Sequence, residues 1–464
     1  MALRINDVTM YLYYSETIVL TGDILIKELI LELNYHPFLQ DSYQKLVHLP
    51  GFILLESTDN SLGRYDILSA CPYDRLVIDN NKPLDLSDFD KLRQIISTES
   101  SPYAFPFQGG AIGYISYDLG AQLFNIYSTP QPGLAGMPLV DMGLYDWAII
   151  VDHQLRKVTL FAANEHASTH TLIQHIIDLW NTSAPKSEAF AVNSDFYPLM
   201  TEEHYKNSLA AIYDSLRMGR AYQVNYTQPF HAQFQGDPWQ IYRAVSRYNP
   251  VPFSAFMTSD NMDILSFSPE RFLLHDERTL LTSPIKGTVG RSSDFDVDEQ
   301  LKAQLLSCPK NRAENIMIVD LMRNDFGKIA VPGSVTVSNL CALQSFNSVH
   351  HLVSDIHGVR IEQINPFDAF LSCFPGGSIT GAPKREAMNI IREQESYGRG
   401  VYCGSIGYFS RHGRFDTNIA IRTITARQNI LYLAAGGGIV IDSQWEDEYR
   451  ECYTKIAAII NGLK

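Results

Sequence analysis

The sequence predicts an α+β protein: large antiparallel β-sheets, a β-sandwich, with surrounding helices. Three observations carry this. Strand-like and helical segments intermix to the C-terminus, without the regular strand–helix alternation of a doubly wound sheet. Apolar runs separated by short turns, as in YDWAIIVDHQLRKVTLFAA (145–163), have the form of antiparallel strands. At 45% hydrophobic and 19% charged, the 464 residues can bury a large core. The clearest change of texture is a polar, Pro/Ser-containing connector at 181–200, which separates an N-terminal region, 1–190, from a second region, 200–464.

Each element has a local reason. GGAIGYISYDLG (109–120) reads as strand and turn. Thr201 caps a helix with Glu202 and Glu203 in its first turn and Gly219 at its end. Its apolar stripe is Tyr205, Leu209, Ile212 and Leu216. AYQVNYTQ (221–228) alternates Tyr222, Val224 and Tyr226 against Gln223 and Asn225, a strand pattern. KNRAENIMIVDLMRND (310–325) is helical, with Glu314, Ile318 and Leu321 on one face. VHHLVS (349–354) is a strand whose His350 and His351 point opposite ways. FPGGSITGAPKREAMNII (374–391) is a Gly-rich turn feeding a helix with Pro383 near its first turn. YCGSIGYFS (402–410) and FDTNIAIRTITA (415–426) read as a strand pair around the turn RHGR. AAGGGIVIDS (434–443) ends in a Gly turn before a helix over 443–460.

Composition excludes several classes. A net charge of −14 and the lack of any basic block argue against nucleic acid as a partner. Six cysteines without CxxC spacing indicate neither a zinc site nor a disulfide framework. The N-terminus lacks the pattern of a secretory leader, and no run of about 18 apolar residues spans a membrane. A cytoplasmic protein is expected.

The residues that point to chemistry lie after position 200. In SPIKGT (283–288), Pro284 fixes φ two residues before Lys286, and Gly287 lets the chain turn just after it. Aimed into a dry pocket, such a lysine loses hydration, its pKa falls and it becomes a nucleophile; aimed outward, it is a surface charge. Glu314 on an apolar face needs a partner. His351 is either a catalytic acid or a hydrogen-bonded core residue. Free N–H groups in the Gly-rich turn favour an anion, but after Gly381 the chain runs Ala-Pro-Lys, not the Gly-Lys-Ser/Thr of an ATP-binding loop. Arg422, inside an apolar run, suits either a bidentate grip on a carboxylate or an internal salt bridge. Glu448 and Glu451 share a helix face at i, i+3. With Glu314 they would suit an octahedral Mg²⁺.

Taken in order, AYQVN, SPIKGT, RAENIMIVDLMRND, HHLVS, FPGGSITGAPK, CGSIGY, IAIRT and GGGIVIDS closely resemble the chorismate-utilising enzymes. The looser N-terminal match runs through PFQGGAIGY (106–114) and YDWAIIVDH (145–153). The resemblance is nearest to the aminodeoxychorismate synthase component I branch. It implies a twisted sandwich of two intertwined subdomains, with chorismate in the cleft between them. Mg²⁺ would be held by Glu314 and Glu448, with Glu451 nearby. Arg422 and Tyr402 would contact the enolpyruvyl carboxylate; Ser378, Gly436, Gly437 and Gly438 would cradle the substrate. His351 would protonate the departing C4 hydroxyl. The branch reads PIKGT where anthranilate synthases read PIAGT, and its lysine attacks C2 of chorismate, here Lys286. Gln223 stands where isochorismate and salicylate synthases carry a base lysine, which disfavours water addition.

Asn311 departs from the family, whose members carry Asp or Glu there. LLES (54–57) and NPVPFSAFM (249–257) resemble the tryptophan-binding segments of the anthranilate relatives, so Ser57, Asn249 and Pro250 would line a tryptophan pocket unless both segments are ordinary core. No GxCxG-type nucleophile elbow is present, so ammonia is expected from solution or from a separate glutamine amidotransferase subunit in a heterodimer. Two other readings stay open on sequence: an anthranilate synthase component I, and a non-catalytic tryptophan-binding paralogue.

Overall fold

In the computed structural model, residues 2–5, 8–11, 18–20, 23–25, 28–36, 38–59, 63–81, 83–96, 101–186, 188–345 and 349–464 are described. Two large sheets, of ten and thirteen strands, dominate, and all of their ladders are antiparallel. The functional elements are the strands β1 (Ile53–Glu56), β2 (Gln223–Gln235), β3 (Phe253–Ser259), β4 (Ile285–Gly290), β5 (Val349–Val359) and β6 (Ile430–Ile439). With them go the helices α1 (Glu202–Arg217), α2 (Pro309–Gly327), α3 (Lys384–Gln394) and α4 (Trp445–Gly462).

The architecture has four layers. Ile53, Ile150, Ala255 and Ile264 of the larger sheet meet Ile112, Tyr114, Ile406 and Tyr408 of the smaller one in a core between the sheets. On the far side of the larger sheet, Leu209 and Ile212 of α1, Ile390 and Ile391 of α3 and Ile456 and Ile459 of α4 form a second core. On the far side of the smaller sheet, Ile318, Val319 and Met322 of α2 join Phe367 and Phe370 in a third. Each such fully buried side chain stabilises by about 1.5–3 kcal/mol. Both sheets draw strands from either side of the 181–200 connector.

The expected α1 is present: Thr201 accepts a hydrogen bond from the His204 N–H, and Gly219 has φ +75° just beyond the end. Residues 145–163 form the strands Trp147–Asp152 and Lys157–Ala162. Three local expectations differ. Residues 109–120 divide into a strand, Gly110–Ile115, and a short helix, Tyr117–Gln122, that Ser116 caps. Residues 415–426 are two strands, Phe415–Asn418 and Thr423–Arg427, which belong to different sheets. Gly436, Gly437 and Gly438 lie inside β6 rather than in a turn. They are needed there for close approach, since a Cβ at Gly436 would lie 2.0 Å from the Tyr226 carbonyl oxygen and one at Gly438 2.2 Å from the Gln223 Nε2.

A buried ion pair anchors the loop before α3. Arg399 donates from Nη2 and Nε to Glu395 at 2.6 and 2.9 Å, and to the carbonyls of Ile379 and Asn225. Glu395 also accepts from the Thr227 N–H and hydroxyl. Removing one partner strands the other charge, so Glu395→Ala is expected to cost about 3–5 kcal/mol in urea unfolding. The Glu395→Leu/Arg399→Met double variant should recover most of that loss.

Candidate active site

Two neighbouring crossings between the sheets carry charge into the cleft. At Ser268–Arg271 the chain leaves the larger sheet for the smaller, and at 418–423 it returns; the Ile419 N–H donates to the Glu270 carbonyl between them. Arg422 sits at the second crossing with φ +51°, in the left-handed region, and its carbonyl accepts from the Phe267 N–H. This break in the apolar run turns Arg422 aside from the strand. No carboxylate pairs with it among the described residues, so the internal salt bridge open on sequence is not seen there.

Lys286 lies on β4, which pairs with β5 at the edge of the ten-stranded sheet. The ladder register shifts between Lys286 and Thr288, a bulge centred on Gly287 at φ +77°. A Cβ there would also lie 3.1 Å from Asn311 and from Leu305. The bulge aims Lys286 across the cleft, where its Nζ donates to the Ser378 carbonyl at 3.1 Å. Burial pushes the pKa of its ammonium down, opposed by the pull of Glu270. Glu270 is itself buried, with Ser378 and the Ile285 backbone beside its carboxyl. Burial raises its pKa, with Lys286 opposing. An amine pushed toward neutrality therefore faces an acid pushed toward protonation.

His350 and His351 do face opposite ways. His350 packs against Asp298 at 3.0 Å and Ser345 at 2.8 Å, a structural setting. His351 turns to Thr288, whose hydroxyl lies 2.7 Å from Nδ1. Burial, with Arg422 nearby, drives its pKa down to about 4, so His351 is uncharged near neutrality. That charge state does not suit the general-acid role expected of it. Glu270, which the sequence analysis missed, has the opposite tendency. Its signal was available: a Pro-Glu pair between the strand-like runs ILSFS and RFLL.

Opposite these groups stand the expected carboxylates. Glu314 projects from α2, and buried Asn315 ties that helix to β5 by donating to the Leu352 carbonyl. Glu448 and Glu451 project from α4 beneath β6; a Cβ at Gly437 would lie 2.9 Å from Glu448 Oε2 and 3.5 Å from Glu451 Oε1. Lys310 Nζ lies 3.9 Å from Glu314 Oε1 and 3.8 Å from Glu448 Oε1. Glu451 instead pairs with Lys455 at 2.6 Å, and Lys455 also donates to the Gly436 carbonyl at 2.8 Å. Among the described residues no three His, Cys, Asp or Glu side chains converge as a cage. Lys310 thus spans Glu314 and Glu448, while Glu451 is taken by Lys455. Burial pushes the pKa values of Glu314 and Glu448 up, and Glu448 Oε2 is buried without a hydrogen-bond partner. Such oxygens suit a hard divalent cation that keeps several waters. Asn311 packs against the Gly287 bulge.

Two further groups complete the cleft. Gln223, fully buried on β2, has neither amide atom satisfied, so its polar end suits a ligand. Ser378 is buried in the loop before α3, and Tyr402 is half-buried with its hydroxyl pKa raised by burial. The helix after that loop begins at Lys384 with Pro383 as its N-cap. Lys384 pairs with Asp325 at 2.6 Å and donates to the Cys373 carbonyl, pinning α3 to α2.

A family model described as chorismate binding enzyme matches residues 51–461. The chain belongs to the chorismate-binding enzyme family. Aminodeoxychorismate synthase component 1 of Escherichia coli K12 is 40% identical over 438 residues, covering 91% of this chain and 95% of that protein. Anthranilate synthase component 1 of Acetivibrio thermocellus is 34% identical, covering 77% and 76%. The crystal structure of anthranilate synthase component I from Streptococcus pneumoniae TIGR4 superposes with a TM-score of 0.76 at 29% identity, covering 86% of this chain and 92% of that one.

The segments expected to form a tryptophan pocket do meet, within this chorismate-binding fold. β1 pairs with β3 through Glu56 and Ser254, and the Thr58 N–H donates to the Val251 carbonyl. Beside them is a cavity of about 340 Å³ lined by Glu56, Gly63, Phe253, Ser254, Arg271 and Tyr408, among others. The three residues named on sequence are not on its wall. Ser57 sits behind Gly63 and donates to the Asp59 carbonyl. Asn249 is the C-cap residue of helix Pro238–Tyr248, and Pro250 follows it. No helix among the described residues is long and apolar enough to cross a membrane.

Proposed function

We propose that this chain is the chorismate-handling component of an aminodeoxychorismate synthase, making 4-amino-4-deoxychorismate from chorismate and ammonia for p-aminobenzoate and folate synthesis. The observation that carries this reading is Lys286, set on its bulge against Glu270 with burial favouring its neutral amine. The 40% identity to the Escherichia coli aminodeoxychorismate synthase component 1 supports it.

Lys286 Nζ attacks C2 of chorismate, the two ring double bonds shift, and the C4–oxygen bond breaks. Glu270 gives its proton to the departing oxygen, so that water leaves. Ammonia then adds at C4, the double bonds shift back, and the C2–Nζ bond breaks to free the lysine. Two displacements replace one difficult one. Arg422 and Tyr402 hold the enolpyruvyl carboxylate, while Ser378 and the Gly436–Gly438 backbone line the ring. His351 serves as an uncharged hydrogen-bonding group beside the substrate. Gln223 offers an amide where a water-activating base would be needed, which disfavours hydration. Mg²⁺ held by Glu314 and Glu448 would neutralise the ring carboxylate when bound. The acids Glu270, Glu314, Glu448 and Glu451 balance the cations Lys286, Lys310, Lys455 and Arg422, so a divalent cation and a dianionic substrate can enter together without changing the net charge.

Ammonia comes from a separate glutamine amidotransferase subunit. The 340 Å³ cavity is assigned to one molecule of tryptophan.

Product identity tests the reading. With chorismate, Mg²⁺ and ammonium salt, chromatography should show 4-amino-4-deoxychorismate, which becomes p-aminobenzoate only after a lyase is added. Direct appearance of anthranilate overturns the assignment in favour of the anthranilate branch.

A further inference from the structure

The gap between Glu314 and Glu448 already holds a positive charge. Lys310 begins the turn that ends at Glu314, an i, i+4 pair on one face of α2. Its Nζ is almost equidistant from the two carboxylates, 3.9 and 3.8 Å, although they come from helices far apart in sequence. Neither contact is a hydrogen bond. Glu448 is only 4% exposed and its Oε2 has no hydrogen-bond partner, so Lys310, which lies between the two acids, adds to the compensation that Lys286 gives Glu314 and that Ser443 and Lys455 give Glu448.

The two lysines of this wall differ in how firmly they are held. Lys455 is fixed by Glu451 and by the Gly436 carbonyl. Lys310 has no second anchor, and about half of its side chain is already in solvent. It can leave the gap at little cost in hydration.

We propose that Lys310 is a placeholder cation: it neutralises Glu314 and Glu448 in the free enzyme, competes with a divalent cation for them, and swings into solvent when that cation binds. The inference rests on the reading of those two carboxylates as the metal-holding pair. A small octahedral cation binds carboxylate oxygens at about 2.0–2.1 Å, well inside the reach of the lysine. Its charge and that of the ammonium repel at such range, so both cannot occupy the gap. Lys310 thereby keeps metal affinity low until a substrate carboxylate adds its own charge to the site.

The test uses Mn²⁺ as the probe, with free Mn²⁺ read by electron paramagnetic resonance in the absence of chorismate. Lys310→Met should bind Mn²⁺ at least about tenfold more tightly than the wild type, and Lys310→Gln should do the same. Lys310→Arg, which keeps the charge, should stay near wild-type affinity. Metal-free Lys310→Met should melt below the wild type, and Mn²⁺ should raise its melting temperature by the larger amount. Equal or weaker binding by Lys310→Met and Lys310→Gln, with Glu314→Gln still losing affinity, overturns the placeholder role and leaves the carboxylate site standing. Binding unchanged in Glu314→Gln overturns the carboxylate site, and the placeholder with it.

Discussion

Lys286→Ala is expected to lower kcat/KM for ammonia-dependent formation of aminodeoxychorismate by at least about a thousandfold, because it removes the nucleophile rather than a binding contact. The fold should tolerate the change. Glu270 loses its cation, but its carboxyl is already biased toward the neutral form by burial and needs no counter-charge. Intact-protein mass spectrometry gives an independent readout. Wild-type enzyme with chorismate and Mg²⁺ but no ammonia should gain the mass of chorismate less one water, mapped to Lys286. No adduct in the wild type, or an adduct of the same mass in Lys286→Ala, would make the nucleophile assignment wrong.

Glu270→Gln should lower kcat by about 10²–10⁴, the usual contribution of a positioned general acid. The pH profile separates this role from simple packing. Burial raises the pKa of Glu270, so activity that needs its proton is present at low pH and lost as pH rises through that value. Burial lowers the pKa of Lys286, so activity that needs the free amine is gained as pH rises through its own value. The wild type should therefore show a bell. In Glu270→Gln the alkaline limb should vanish. The acid limb should move to lower pH, since the carboxylate that favoured the lysine's charge is gone. An alkaline limb that persists in Glu270→Gln means the proton comes from another group.

Much of the site was legible because each motif had a local cause. Pro284 and Gly287 announce a constrained lysine, and the structure shows the bulge they make. Helical spacing put Glu314 and Ile318 on one face, and strand alternation separated His350 from His351. Glu270 escaped notice because one Pro-Glu pair between strands looks like any turn; only burial beside Lys286 makes it chemical. The lowered pKa of His351, for which the resemblance implies a general-acid role, is not legible in the strand pattern, since desolvation and Arg422 act through space. The break at Arg422 was also hidden: IAIRTIT alternates like one strand, and only the need to change sheets explains the left-handed turn.

The sequence by itself determined the α+β class, the ends of α1, and the order of motifs that marks the family, because those depend on periodicity and capping within one segment. Tertiary structure alone decided which charges share a space. Two neighbouring crossings between the sheets bring Glu270 and Arg422 into the cleft. The approach of the first turns of α2 and α4 puts Lys310 between two acids more than 130 residues apart in number. Protonation and ion pairing act over a few ångströms, and no spacing along a chain encodes a distance between segments that meet only when both sheets are complete.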